Sequence, residues 1–78
     1  MQIAWLRSFL ADGLIDEVVV RSPGFCGHVG WTVECRGRFG NADPLLRSAR
    51  REVREFKSLD TVSRSLAAWG CRDFRVLI

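Results

Sequence analysis

The sequence predicts an α+β fold: a two-layer sandwich of two helices on one face of a small, mainly antiparallel sheet, in the order α-β-β-(β)-α-β. Three observations lead there. Apolar residues recur at helical spacing near both ends of the chain, a two-residue alternation runs through its middle, and a glycine stands where each helical run stops. With 78 residues and 47% apolar content, the chain can build one domain around one core.

Gln2 to Asp12 reads as an amphipathic helix. Ile3, Leu6 and Leu10 fall at i, i+3 and i+7, Phe9 widens that stripe, and Arg7, Ser8 and Asp12 face away. Gly13 is placed to end it in the left-handed conformation. Asp16 to Arg21 carries Val18-Val19-Val20, a β-branched run suited to a strand, and Ser22-Pro23-Gly24 punctuates it. From His28 to Arg38 the period is two. Val29, Trp31, Val33 and Cys35 share one face, and Gly30, Thr32, Glu34 and Arg36 the other, which describes a strand with one buried and one wet side. The link from Ser22 to Gly27 is short enough for the two strands to pair as a hairpin. Gly37, Gly40, Asn41 and Pro44 mark the next loop.

Leu45 to Lys57 admits two readings. As a helix, Asp43 caps, Pro44 takes the first position, and Leu46, Ala49, Val53 and Phe56 form a stripe opposite Arg47, Arg50, Arg51 and Arg54. As a hairpin, Leu45–Ser48 and Glu52–Lys57 pair around Ala49-Arg50-Arg51. Periodicity favours the helix, but a family resemblance given below favours the strand, so a third strand is expected here. The last third is plainer. Ser58 is an N-cap, Asp60 complements the helix dipole, and Leu59, Val62, Leu66 and Trp69 make one apolar face before Gly70. Asp73 to Ile78 closes the chain as a strand with Phe74, Val76 and Ile78 on one side, its last residues tied into the sheet. Packing both helices on one sheet face would bury Trp5, Trp31 and Trp69 together.

Composition bounds the function. Twelve basic residues against nine acidic ones give a net charge of +3, too mild to imply DNA binding by itself. Eleven of the twelve are arginine, with Lys57 the exception. Arginine's planar fork suits carboxylates, phosphates and interfaces, and a GC-rich genome would enrich it equally. Cys26, Cys35 and Cys71 are odd in number and lack a Cys-x-x-Cys pair, unlike the even disulfide framework of a secreted mini-domain. Met1 to Arg7 lacks the pattern of a signal peptide, and no apolar run is long enough to span a membrane. A reduced, cytoplasmic protein without membrane contact is expected.

Catalytic and metal chemistry find little support in the residues. Cys26-x-His28 with Cys35 lacks the fourth ligand and tight spacing of structural zinc, so Cys35 and Cys71 are expected as core residues and His28 as hairpin surface. No metal and no cofactor are expected. A cysteine nucleophile would depend on His28, the single histidine, with no third group to orient it. Glu52 and Glu55 stand among arginines, which lower carboxylate pKa values and work against a general acid. An enzyme is not expected. The richest feature is the segment carrying Arg47, Arg50, Arg51, Arg54 and Lys57, interrupted by Glu52 and Glu55. These five are the candidate partner-binding residues. They suit a solvated face, a protein interface, or phosphate contacts with a nucleic acid. A small open sheet also has edges to cover, which a homodimer joined edge to edge would do.

Arg54-Glu55-Phe56-Lys57-Ser58-Leu59-Asp60-Thr61, a helix ending Leu66-Ala67-Ala68-Trp69-Gly70, and the closing Phe74-Arg75-Val76 resemble the small ParC-type partition-associated proteins. These are encoded on plasmids and integrated mobile elements of Gram-negative bacteria. Trp5-Leu6-Arg7 and Leu10-Ala11-Asp12-Gly13 are similar in type. The family pattern has a glycine near Arg51, which suits a hairpin turn; this chain departs from it there. The resemblance implies an accessory role in plasmid partition or maintenance, and no catalytic or ligand site comes with it. The expected function is therefore a non-enzymatic accessory binding protein of a plasmid or mobile element. A protein partner is expected first and a nucleic acid second. The competing expectation is an inhibitor, such as an anti-CRISPR, that binds a host enzyme or defence complex.

Overall fold

Val18-Val19-Val20 has no polar break, and such a run calls for cover on both faces. In the computed structural model, which describes residues 1–40 and 43–78, these valines form the middle of strand β1 (Ile15–Arg21). It is the central strand of three. Strand β2 (Thr32–Gly37) pairs with it antiparallel, and strand β3 (Arg75–Leu77) pairs on the other side in parallel. Helix α1 (Ile3–Ala11) precedes β1, a single 3₁₀ turn (Phe25–Gly27) lies in the link to β2, and helix α2 (Leu59–Ala68) precedes β3. The described residues thus form an α+β domain with two helices and a mixed three-stranded sheet.

Both helices lie on one sheet face. Val18 and Val20 of β1 and Val33 and Cys35 of β2 point to that face, where they meet Leu6 of α1 and Val62 and Leu66 of α2. Each fully buried aliphatic side chain of this kind contributes about 1.5–3 kcal/mol through removal from water. Ser58 caps α2 by accepting the backbone N–H of Thr61 at 3.2 Å, and Asp60 lies in its first turn. Gly13 and Gly70 follow the helices at φ +70° and +96°, left-handed values that glycine adopts without a Cβ clash.

Residues 44–48 and 52–56 are extended on either side of a turn at 49–51, as the strand reading expected, but they make isolated bridges and no regular strand. All three bridges are antiparallel: Glu34 with Leu45, Trp31 with Phe56, and Arg47 with Val53. The stretch runs out along the free edge of β2 and returns. On the way out, Cys35 N–H donates to the Pro44 carbonyl and Leu46 N–H to that of Val33; on the return, Trp31 and Phe56 exchange both backbone bonds. Leu46 and Phe56 enter the core, while Ala49 is exposed at the tip. Asp43 caps no helix; its carboxylate accepts the Leu45 N–H at 3.0 Å and starts the extended run. The helical periodicity of Leu46, Ala49, Val53 and Phe56 yields to the backbone bonds that the open edge of β2 offers. Among the described residues, the outer edge of β3 is the one left without a neighbour.

Three expectations about packing need correction. The tryptophans are not buried together: Trp31 and Trp69 pack at the core margin, but Trp5 is 59% exposed. α1 turns Ile3, Leu6 and Leu10 inward, and Trp5 falls outside that stripe on the flank it shares with Gln2 and Phe9. Val29 is 86% exposed, because β2 starts only at Thr32, after the 3₁₀ turn and a bend. Ile78 is fully exposed, since β3 stops at Leu77.

Gly37 is required by close approach. It faces Ile15, where the register between β1 and β2 shifts, and a Cβ there would collide with the Leu14 carbonyl oxygen and stand 2.8 Å from Ile15 Cα. Backbone cannot move aside as a flexible side chain can. Gly37→Ala is expected to destabilise the fold by about 2–3 kcal/mol, read as a lowered urea midpoint at unchanged m-value.

Candidate partner-binding groove

The flank of α1 beside its core stripe faces a groove, with Phe9 packed against the core and Trp5 standing further out. Gln2, Trp5 and Phe9 follow one another at i, i+3 and i+7 along its wall, and Phe39, from the loop after β2, stands opposite. The Phe9 and Phe39 rings stack with centroids 5.4 Å apart and planes within 9°, and Trp5 leans on Phe9 at 5.6 Å. Met1, Asp43, Arg47 and Arg51 complete the lining, around a volume of about 440 Å³. That is the size of clefts that take a ligand or a partner's side chains.

The polar end is organised by the extended stretch. Asp43 accepts Arg47 Nε, and Arg47 also donates from a terminal nitrogen to the Arg51 carbonyl at 3.2 Å. The Arg47 guanidinium, followed by the Leu45 N–H, holds the Asp43 carboxyl below its ordinary pKa, so the pair stays ionised at neutral pH. Met1 threads beneath: its nitrogen donates to the Leu45 carbonyl at 2.7 Å, and its own carbonyl accepts the Arg47 N–H. These bonds fasten the start of α1 to the hairpin and fix the width of the groove.

Of the five candidate binding residues, the groove takes two. Arg47 and Arg51 line it, and Arg50 is exposed beside them at the hairpin tip. Arg54 turns elsewhere, its guanidinium 5.2 Å from the centre of the Phe56 ring, and Lys57 is exposed beyond it. The five cations therefore do not form one continuous patch. Trp5, Phe9 and Phe39 were not among the sequence-derived candidates. The signal was present in the Trp5–Phe9 spacing, but Phe9 read as extra width on the core stripe and Trp5 as a core residue packed with Trp31 and Trp69.

The turn itself is unusual. Ser48 N–H donates to the Glu52 carbonyl and Arg51 N–H to that of Ser48, closing a three-residue loop, Ala49-Arg50-Arg51. Its last position calls for the left-handed conformation, and Arg51 occupies it at φ +67°. A residue with a Cβ held there costs about 1–2 kcal/mol relative to its relaxed backbone, and glycine escapes that cost.

The other candidate constellations lie apart from the groove. His28 Nδ1 is 3.6 Å from Glu55, which also accepts the Gly30 N–H. Cys35 and Cys71 are buried in the core and Cys26 is exposed in the 3₁₀ turn. Among the described residues, no group of three or more histidine, cysteine or acidic side chains is placed to hold a metal. Burial, reinforced by neighbouring Cys71, pushes the Cys35 thiol up to about 12. Burial likewise raises Cys71, partly offset by the bond its sulfur donates to the Asp73 carbonyl at 3.1 Å.

Two outcomes follow from these residues. Arg51→Gly relieves the turn but also frees the unfolded chain, so a net stabilisation of about 0.5–1 kcal/mol is expected in thermal or urea unfolding. For Cys35 the folded pKa lies above the unfolded one, so its contribution is intact below about pH 9 and is lost as pH rises towards about 12. Unfolding measured across that window should show a decline in stability that is reduced in Cys35→Ala. Compared with known proteins, the chain matches no family model, no curated protein and no solved structure.

Proposed function

We propose that this protein is a non-enzymatic binding module that engages a protein partner through the groove between α1 and the 48–52 hairpin. The observation that carries the reading is the exposed aromatic wall: a tryptophan 59% open to solvent, backed by a stacked phenylalanine pair and flanked by arginines. Tryptophan and arginine are the residues in which the energy of protein interfaces concentrates. Trp5 leans on Phe9 at the core margin and leaves more than half of its surface for a partner to cover.

The chemistry elsewhere supports a binder over a catalyst. Cys35 and Cys71 are held as neutral thiols and are poor nucleophiles. His28 and Glu55 face each other in a partly exposed pair at a loop, with the Glu55 oxygen already bonded to a backbone N–H. The resemblance to partition-associated proteins supports a setting on a plasmid or integrative element, where such a module would serve maintenance or partition.

The test compares wild type with Trp5→Ala and Arg51→Glu in quantitative affinity capture from the native host. Both positions are exposed, so the variants should keep the wild-type circular dichroism spectrum. One or more partners are expected to be lost from both variants. Recovery of identical partners by all three proteins would remove the groove from consideration. A gel-shift series across salt should show no nucleic-acid complex.

A further inference from the structure

The groove's charge arrangement narrows the partner's chemistry, an inference that rests on the binding role proposed above. Four positions matter. Asp43 and Arg47 are bonded to each other, so the carboxylate in the wall is already neutralised by its neighbour. Arg51 has no carboxylate partner among the described residues, and neither has Arg50 next to it. The lip of the groove thus carries uncompensated positive charge directly beside an apolar wall. Arg51 also holds its place in a left-handed backbone that glycine would occupy more cheaply. That backbone holds the Arg51 guanidinium on the rim of the cleft, where its charge is open to a ligand.

We infer that the occupant is a segment of a protein partner that sets a bulky apolar side chain against Trp5, Phe9 and Phe39 and a neighbouring Asp or Glu carboxylate on Arg51. A planar guanidinium and a carboxylate form parallel charge-assisted bonds, and the adjoining apolar wall excludes water from one side of that pair. A nucleic-acid strand fits less well, because it needs a track of cations following its phosphates. Among the described residues, the cations lining the groove are Arg47 and Arg51, and Arg47 is already bonded to Asp43. Arg54 lies over Phe56, and on the far sheet face Arg21, Arg36 and Arg75 are paired with Glu17 and Glu34. Two adjacent free charges at the lip, Arg50 and Arg51, beside one apolar surface match a short acidic and apolar segment of a protein.

The experiment is selection of a random-peptide display library on the immobilised full chain, followed by titration of the synthetic consensus peptide. The expected consensus holds Leu, Phe or Trp within a few positions of Asp or Glu. Arg51→Glu should weaken that peptide by at least about tenfold, and replacing the peptide's acidic residue with Lys should restore binding to this variant. Trp5→Ala should abolish binding. An apolar consensus without an acidic residue, insensitive to Arg51→Glu but lost in Trp5→Ala, would overturn the carboxylate assignment and leave the binding groove standing. Peptides indifferent to Trp5→Ala, or no enrichment at all, would overturn both. Salt-sensitive binding of oligo-dT that is lost in Trp5→Ala would replace the peptide with a nucleic acid.

Discussion

A short sheet edge, closed by an irregular stretch of chain, determines most of what this molecule presents to the outside. β2 would end the sheet with a row of open backbone groups. Residues 44–56 occupy that row through the Pro44–Cys35 and Leu46–Val33 bonds and the reciprocal Trp31–Phe56 pair. The same docking drives Leu46 and Phe56 into the core. It also sets the hairpin tip, Ala49-Arg50-Arg51, at a fixed distance from α1, because Met1 is bonded to both Leu45 and Arg47. Without that closure there would be no groove wall opposite Trp5, and Arg47 and Arg51 would have no defined place.

This explains why the candidate binding residues are divided as they are. Alternation along an extended chain sends successive side chains to opposite sides. A helix would have carried Arg47, Arg50, Arg51 and Arg54 on one flank as a single basic stripe. The hairpin breaks that stripe into a groove-lining pair, an exposed tip and an arginine lying over an aromatic ring. Charge that is continuous in sequence is discontinuous in space.

The fold was legible where local chemistry and packing agree. Ser58 and Asp60 at the start of α2, Gly13 and Gly70 after the helices, and the alternation of Val33 and Cys35 with Thr32 and Glu34 each encode their own local structure. The middle of the chain was not, because its periodicity and its tertiary bonds conflict. Leu46, Val53 and Phe56 are spaced for a helix, and only the open edge of β2, a feature absent from local sequence, decides otherwise. The site was half legible. Arginine density pointed to the hairpin, but the aromatic wall was hidden by a helix that carries two apolar stripes, one for the core and one for the groove. Trp5 lies off the stripe of Ile3, Leu6 and Leu10, and only folding brings Phe39 against Phe9 to complete the wall.

The sheet's far side carries a consequence of its own. Val19 is 1% exposed there although neither helix crosses that face; its cross-strand neighbours are Glu34 and Arg75. Arg21 bridges to Glu34, Arg36 to both Glu34 and Glu17, and Arg75 to Glu17, so long side chains lie interlocked over the valine. Their methylene stems serve as a thin apolar roof and their charged ends as its wet outer skin. A domain too small to afford a third layer has woven one from side chains, and the arginine-rich composition finds in that weave a structural use that codon bias alone would not supply.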